Sequence, residues 1–385
     1  MTEQIIDREN EPCNEMTALP EEEQANIDAA DGRARPEIEK LRLFLMLCAC
    51  IQLLGFPTKL GDFVQSLCGF APIAFFILSG HLVLGQEEGR SERIVRAIKR
   101  TALAFALLFA FYTVINLILY HAMGVDILPS LKSKRLWFNF IVLNVWPFGV
   151  CDAIWYVQAL LYAYIIAYFL DKLKLLKYDW IFFIVLFLFA VVTGELNGIF
   201  HFSFFGYTAF PANFLNRALP YLLLGGFFFR KMPRLGEVPI RFYLLGIIAG
   251  GVLVFLEPML LERWGVGGYY GHLIGMAVIA ASVCQLVFQN VFLKGAYNIP
   301  LTNRFPLSRG NINVIYYLCQ PMGMVLGFWA ISYGVSFFDR ISGYLGLVTF
   351  LICCLISVLT AVFFGIIRGK LQRRREQLPP GEGSA

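Results

Sequence analysis

The sequence predicts an all-α integral membrane protein, a polytopic bundle of about ten transmembrane helices. Of its 385 residues, 58% are apolar and 15% are charged, whereas soluble domains average roughly 45–50% and about 25%. The apolar residues fall into runs of about 18 to 22 residues, the length that crosses a hydrocarbon core of roughly 30 Å. The runs lack the alternation of a membrane β-barrel. Because lipid offers no partner for backbone amides, each run is predicted to be a helix.

The ten predicted spans follow one another with mostly short connections. They cover residues 41–57, 68–85, 102–121, 152–170, 180–196, 214–229, 242–257, 269–290, 312–331 and 344–367. The longest outer loop, 122–151, is rich in tryptophan and phenylalanine. Such side chains anchor a chain at the membrane interface. The alternative interpretation is a lid over an outward-facing site.

The positions of lysine and arginine predict the orientation of the bundle. Basic residues beside a membrane helix stay on the cytoplasmic side, and an inside N-terminus places 25 of the 32 basic residues in cytoplasmic segments. Six lie outside, so the opposite orientation would invert a fourfold bias. We therefore predict a multi-pass plasma-membrane protein with both termini in the cytoplasm. The net charge of +5 reflects this topology, and no nucleic-acid partner is predicted.

The two ends of the chain are predicted to be cytoplasmic tails. Residues 1–39 carry twelve carboxylates, three arginines and no apolar periodicity, a composition that cannot build a core. Residues 40–368 form the predicted ten-helix domain. The segment 369–385 begins basic, as suits the anionic inner leaflet, and continues as a disordered tail. No cleaved signal peptide is predicted, because the first apolar stretch starts only at Leu41.

The nine cysteines do not predict a metal site. Most of them lie inside predicted helices, where cysteine behaves as a small apolar residue, and none forms a CxxC pair with metal-type spacing. Cys68 and Cys151 both lie near outer helix ends, so a disulfide between them is one alternative. The sequence also lacks a Walker phosphate-binding loop, which argues against an ATP-driven pump.

Two segments in the first third of the chain carry functional signals. Ala71-Pro-Ile-Ala-Phe-Phe-Ile-Leu-Ser-Gly80 ends in a Ser-Gly pair that permits close helix approach. Arg93-Ile-Val-Arg96-Ala-Ile-Lys99-Arg100 lies at the predicted cytoplasmic mouth of the third span. Guanidinium groups bind phosphate oxygens bidentately, and coenzyme A presents several phosphates on this side. The positive-inside rule alone is the alternative explanation.

Three further segments lie in the fourth, sixth and ninth spans. They read Ile154-Trp-Tyr-Val-Gln-Ala-Leu-Leu161, Phe214-Leu-Asn-Arg217-Ala-Leu-Pro-Tyr-Leu-Leu-Leu-Gly225 and Tyr316-Tyr-Leu-Cys-Gln-Pro321. Arg217 is the most informative residue, because an arginine at the bilayer centre costs roughly 2.5–3.5 kcal/mol and should face a polar cavity or an acid. Near the outer end of its helix, it can instead extend to the interface.

Taken in order, these segments resemble those of the membrane-bound acyltransferase family 3, whose motifs read FFxLSG, RxxR, WFxxaLL, RxLPFFLLG and YLxHP. The enzymes of that family move acyl groups, usually acetyl, from cytoplasmic acyl-CoA to acceptors that are often cell-surface sugars. The resemblance implies acetyl-CoA as acyl donor, a glycan or similar cell-envelope acceptor, and no metal. It further implies a set of CoA-binding residues, Arg42, Arg93, Arg96 and Arg100, and a set of substrate-binding residues, Trp155, Arg217 and Asp152.

Both histidines typical of that family are replaced. Gln320 stands at the histidine position of the ninth span, and Gln52 and Leu53 follow Arg42 where the first span should carry the other. Glutamine cannot take up a proton, whereas general-base catalysis contributes about 10²–10⁴-fold. It can still donate a hydrogen bond to an oxyanion.

His81, beside the Ser-Gly pair, is the predicted substitute base, with a structural role as the alternative. We therefore expect His81, Gln52 and Gln320 to form the transfer site. The sequence leaves two functions open. One is transfer of an acetyl group to an extracytoplasmic glycan hydroxyl. The other is a non-catalytic role, as an acyltransferase-like carrier, flippase or inactive relative.

Overall fold

The computed structural model consists of helices throughout the part of the chain that it describes, with no strand among those residues. The described residues are 36–53, 59–126, 131–148, 153–194, 196–200, 213–235, 238–263, 274–293, 317–323, 348–356 and 359. Most of the predicted tail 1–39, the predicted tail 369–385, and most of the ninth and tenth predicted spans lie outside these ranges.

Eight of the ten predicted spans coincide with described helices. In chain order the helices are α1 (Pro36–Leu53), α2 (Lys59–Cys68), α3 (Ala71–Leu84), α4 (Arg90–Ala122), α5 (Lys134–Leu143), α6 (Trp155–Lys172), α7 (Asp179–Thr193), α8 (Asn197–Phe200), α9 (Leu219–Leu235), α10 (Ile240–Arg263) and α11 (Ile274–Leu293). A 3₁₀ turn, Leu175–Tyr178, precedes α7, and a π-helical turn, Phe214–Ala218, precedes α9. Residues 317–323 and 348–356 are also helical.

Two helix starts differ from the sequence prediction. The first helix begins at Pro36, inside the segment predicted to be a tail, because proline fits the first helical turn, where its missing N–H has no role. α4 begins at Arg90, twelve residues before the predicted span. Its first three turns are polar, so hydropathy alone detects only the apolar remainder. With 33 residues, α4 is about 50 Å long and exceeds the hydrocarbon thickness.

α3 lies at the centre of the main core. It packs chiefly against α9 and α11, and also against α1 and α4. Within the described ranges, four helical stretches are long and apolar enough to cross a membrane. In the stretch Gly61–Leu84, which includes α3, 67% of the apolar window is buried, against 17% for the windows of Arg90–Ala122, Leu175–Thr193 and Ile240–Arg263. The last three stretches therefore present their apolar side chains to the outside of the bundle.

A second, aromatic core joins α4, α5 and the start of α6. Trp146 lies at its centre, with edge-on contacts to Phe109, Tyr112 and Phe140 at ring distances of 5.6, 6.3 and 5.6 Å. Such edge-to-face pairs are favourable beyond the apolar area that they bury. The loop region predicted to anchor or cover the bundle thus contains a helix, α5, held by its own aromatic core.

The cysteines of the described residues are free thiols. Cys68 contacts the thiol of Cys48, since the end of α2 folds back against α1. This placement argues against the predicted alternative of a Cys68–Cys151 disulfide, whose second member lies outside the described residues. Cys50 and Cys319 pack with Met46 and Cys353 in a small apolar cluster, where the thiols serve as small core residues.

Candidate functional site

Four segments of the chain meet in a partly buried group of hydroxyls. The Ser79 hydroxyl is hydrogen-bonded to the phenol groups of Tyr156 and Tyr164, and the Arg42 guanidinium lies close enough to both phenols to act on them electrostatically. Tyr317 lies close to Tyr156. We call these five residues the hydroxyl cluster. It joins α1, α3, α6 and the helical segment 317–323.

The position of Ser79 follows from the close crossing of α3 and α9. A side chain at Gly80 would collide with the carbonyl oxygen of Leu222, and one at Gly225 would collide with that of Ile77. The two glycines therefore allow the backbones to touch, as in small-residue helix contacts of membrane proteins. This confirms the prediction that the Ser-Gly pair permits close helix approach. Ser79 itself contacts α6.

Gln320 binds the beginning of α6. Its Oε1 accepts a hydrogen bond from the backbone N–H of Ala153 at 2.9 Å. The neighbouring Tyr317 carbonyl accepts a hydrogen bond from the Tyr112 hydroxyl at 3.0 Å. The segment 317–323 is thus tied to both α4 and α6, and Gln320 lies one turn from the hydroxyl cluster.

Gln52 is partly buried at the end of α1, and its backbone carbonyl accepts a hydrogen bond from Gln65 Nε2 at 2.8 Å. Two residues earlier, Cys50 contacts Cys319. The predicted pair of amides, Gln52 and Gln320, therefore lies on adjoining helical segments.

Trp155 and Arg217 meet beside α6. The Arg217 guanidinium carbon lies 5.8 Å from the centre of the Trp155 ring, a cation–π distance. Arg217 belongs to the π-helical turn before α9, which Asn213 and Asn216 cap reciprocally, with Asn213 Oδ1 accepting from Leu215 N at 2.8 Å. Such π turns occur often at functional sites. The third predicted substrate-binding residue, Asp152, lies outside the described residues.

His81 faces away from the hydroxyl cluster. Its ring is stacked on Phe288 at 3.7 Å and meets Phe229 edge-on at 5.0 Å. His81 follows Ser79 by two residues, which on a helix turns the side chain by about 200°. It therefore lies between α3, α9 and α11, while Ser79 contacts α6. The structure does not bring the predicted base next to the cluster.

Arg93 binds the loop between α3 and α4. It donates to the backbone carbonyls of Val83 at 3.4 Å and Glu88 at 2.5 Å, and also to that of Gln86. Two further arginines of the predicted CoA-binding set, Arg96 and Arg100, are exposed on the following turns of α4. The fourth, Arg42, lies instead in the hydroxyl cluster. The predicted set is therefore not brought together at one place.

Two ion pairs that each join two described helices lie near the same loop, and the sequence analysis did not single them out. Arg90 Nη1 and the Ser91 hydroxyl bind the carboxylate of Asp171, at 3.4 and 2.6 Å. Arg230 pairs with the buried Asp179 and also donates to the Leu84 carbonyl at 3.3 Å. These pairs join α4 to α6 and α9 to α7. The sequence shows only that an acidic and a basic residue of each pair lie near the ends of different apolar runs, and this pattern is too common to predict an ion pair.

The hydroxyl cluster was also missed as a unit. The sequence analysis singled out the segments that carry Ser79, Tyr156 and Tyr317 for other reasons. These were the Ser-Gly pair, the motif that contains Trp155, and the position where Gln320 replaces a histidine. Tyr156 and Tyr164 are eight residues apart and lie on one helix face, so two hydroxyls in one apolar run were a detectable signal.

The carboxylate of Glu257 accepts a hydrogen bond from the Gly275 N–H at 3.1 Å. It lies at the first turn of α11, where a negative charge is favourable.

Comparison of the chain with protein-family models, curated proteins and solved structures gave no match.

Proposed function

We propose that the chain crosses the plasma membrane ten times, with both termini in the cytoplasm. Support comes from the exposed apolar side chains of the three stretches Arg90–Ala122, Leu175–Thr193 and Ile240–Arg263. On α4, Leu103, Leu107, Val114 and Ile118 are each more than half exposed, at the spacing of one helical face. Exposed apolar faces of this size are unfavourable in water and favourable against lipid tails.

We further propose that the protein is an acyltransferase that moves an acetyl group from cytoplasmic acetyl-CoA to the hydroxyl of an extracytoplasmic glycan. The observation that carries this proposal is the meeting of Arg42, Ser79, Tyr156 and Tyr317 in one partly buried cluster. Three of these residues, Ser79, Tyr156 and Tyr317, come from segments that resemble acyltransferase motifs. Polar groups inside an apolar bundle are costly and therefore rare, and they commonly mark functional sites.

In this proposal the acceptor oxygen bonds to the thioester carbon, the carbon–sulfur bond breaks, and the acceptor proton ends on the CoA sulfur. Hydroxyls both donate and accept hydrogen bonds, so Tyr156, Ser79 and Tyr164 can relay that proton. Arg42 stabilises negative charge on a phenol oxygen. The Gln320 side chain, whose Oε1 accepts from the Ala153 N–H, is the proposed stabiliser of the developing oxyanion.

The entry side of the proposed reaction uses the exposed arginines. Arg96 and Arg100 lie on successive turns of α4 and are placed to bind the phosphates of CoA. Arg93 shapes the entrance by holding the loop between α3 and α4. The predicted role of His81 as base has no geometric support, so the hydroxyl relay replaces it in this mechanism.

The test is transfer from labelled acetyl-CoA by the full-length protein purified in lipid nanodiscs, with cell-envelope glycans as acceptors. Tyr156→Phe should lower the rate by about 10²-fold or more, the contribution of a positioned proton donor. Tyr178→Phe, on the exposed turn before α7, should transfer at the wild-type rate. Equal rates for both variants and the wild type would exclude the relay.

A second candidate function is a non-catalytic acyltransferase-like protein, such as a carrier or an inactive relative. It is favoured by the placement of His81 between Phe229 and Phe288 and by the use of Arg93 on backbone carbonyls. Restoring a histidine distinguishes the two functions. If Gln320→His transfers acetyl and the native protein does not, the native chain is non-catalytic.

A further inference from the structure

The turn between α6 and α7 displays three lysines on its outer side. They are Lys172, Lys174 and Lys177, and all three are exposed. Two other residues of this turn, Leu176 and Asp179, are buried, and their separation of three residues matches the period of a 3₁₀ turn. The turn therefore directs an apolar and an acidic side chain into the bundle and the basic side chains away from it.

Both acids of this turn are engaged by arginines of other helices. Asp171 binds Arg90 at 3.4 Å, and Asp179 pairs with Arg230. Arg230 also donates to the backbone carbonyl of Leu176 at 3.4 Å, which fixes the turn. Within the described part of the chain, no acid pairs with any of the three lysines. The outer side of the turn thus presents three positive charges that its own acids do not neutralise.

Two of the three ammonium groups are held over aromatic rings. The Lys172 ammonium lies 5.4 Å from the centre of the Tyr168 ring, and the Lys177 ammonium lies 4.7 Å from that of Tyr178. These are cation–π distances. A long side chain that is already restrained loses less freedom when a ligand binds. The turn is therefore suited to hold an anion with little reorganisation.

An exposed apolar face of α7 begins at the same turn. Its residues Trp180, Ile184, Val185 and Leu188 are between 43% and 57% exposed. Such a face is favourable against lipid tails, and tryptophan is typical of the interface between tails and headgroups. The basic turn and the apolar face are consecutive along the chain. A phospholipid has the same two parts in the same order, a charged headgroup followed by acyl chains.

We propose that the turn binds the headgroup phosphate of an anionic phospholipid whose acyl chains lie along α7. The inference rests on the proposed membrane crossing and does not depend on acetyl transfer. Each ammonium offers three N–H donors to phosphate oxygens, and the cytoplasmic leaflet supplies anionic lipids at this end of α7. An acidic peptide or a free phosphate would use the lysines but would leave the apolar face of α7 uncovered.

The experiment measures how lipids quench the fluorescence of Trp180 in the full-length protein in nanodiscs. The discs contain phosphatidylglycerol and phosphatidylcholine, one of them brominated in the upper part of its acyl chains. Subtracting the signal of Trp180→Phe isolates Trp180. Brominated phosphatidylglycerol should occupy the site with a preference of about tenfold or more, since one lysine near an anionic lipid contributes about fivefold. Added salt should reduce this preference.

Two triple variants test the lysines. Lys172→Gln with Lys174→Gln and Lys177→Gln should quench equally with both lipids. The matched control, Lys132→Gln with Lys134→Gln and Arg135→Gln, removes the same charge from exposed positions beside α5 and should keep the wild-type preference. All six positions are exposed, and thermal unfolding of both variants verifies that they fold.

Equal quenching of the wild type by both lipids overturns the lipid site, as does an unchanged preference in the variant that lacks the three lysines. Loss of the preference when inorganic phosphate is added at matched ionic strength would assign the lysines to a free anion and also overturn it. Quenching by neither lipid would contradict the proposed membrane crossing itself. The assay contains no acyl donor, so its result is independent of whether the protein transfers acetyl groups.

Discussion

The side chain of Gln320 accepts a hydrogen bond from the backbone N–H of Ala153 at 2.9 Å. This bond ties the segment 317–323 to the turn just before α6, because the backbone N–H of the fully buried Ala153 needs a partner. At the position where the resembling family carries histidine, the amide therefore has a structural role whatever its part in chemistry.

Gln320→Leu should lower the free energy of unfolding by about 1–3 kcal/mol, because a buried N–H loses its partner. Gln320→His should lower the free energy of unfolding by a smaller amount, since an imidazole nitrogen can accept the same hydrogen bond. Thermal unfolding of both variants in the same detergent checks this. Equal losses in the two variants would show that the bond to Ala153 does not stabilise the fold.

Gly80→Ala and Gly225→Ala should each destabilise the protein by about 3 kcal/mol or more, at the upper end of overpacking costs, because the added methyl meets backbone carbonyls that cannot move aside. Gly251→Ala is the control. Its new methyl would meet only Leu67 Cδ2 at 3.8 Å, and alanine gains about 0.5–1 kcal/mol over glycine in a helix. Folded yield and unfolding temperature report the difference, and three similar values would contradict the close crossing of α3 and α9.

Arg230→Met should destabilise the protein by about 3–5 kcal/mol, because it leaves the buried carboxylate of Asp179 without its cation. Lys231→Met, at the exposed neighbouring position, should change stability by less than about 0.5 kcal/mol. Denaturation of both proteins in matched detergent measures the two values. A double variant, Asp179→Asn with Arg230→Met, should recover part of the loss, and no recovery would argue against the pair.

Asn144 ends α5 in the left-handed conformation, with φ of 59°, and its Nδ2 donates to the Trp155 carbonyl at 2.9 Å. Asn144→Gly and Asn144→Ala separate the backbone role of Asn144 from its hydrogen bond. Both variants lose the bond to the Trp155 carbonyl, but only alanine adds a left-handed backbone cost of about 1–2 kcal/mol. The alanine variant should therefore unfold at the lower temperature. Lys174→Gly is a parallel control, since Lys174 has φ of 56° and glycine should be neutral or favourable there. A glycine variant less stable than the alanine variant at 144 would contradict the assigned turn.

The proposed topology predicts which loops face the cytoplasm. A reporter that is active only outside the cytoplasm should be silent after Glu88, in the loop before α4, and active after Val125, which follows the same helix. The 33 residues of α4 reach about 50 Å, enough to separate the two positions by a bilayer. Equal activity at both sites would contradict a membrane-crossing α4.

Much of the helix content was predictable because apolar runs of membrane length have few structural options. The spans 152–170, 180–196 and 242–257 each match a described helix within a few residues. Prediction was weaker where polar residues continue a helix, as at the start of α4. The separate helix α5 was not predicted either, since its ten residues are too short to form a span.

Some residues of the candidate site were predictable from the sequence, and others were not. The sequence singled out Gln320, Trp155 and Arg217. The structure places Arg217 over the ring of Trp155, the first residue of α6. Gln320 binds Ala153, just before the same helix. The sequence did not single out Tyr156, Tyr164 or Asp179, because a phenol in an apolar run and an acid at a helix end are common in unrelated contexts.

By itself, the sequence determined that this chain is helical and apolar, since composition and run length depend on each residue's own affinity for water or lipid. Only the tertiary structure decided that Ser79 meets Tyr156 and that His81 lies instead between Phe229 and Phe288. Residues two positions apart point to opposite sides of a helix, and which neighbour each side meets depends on how distant helices cross.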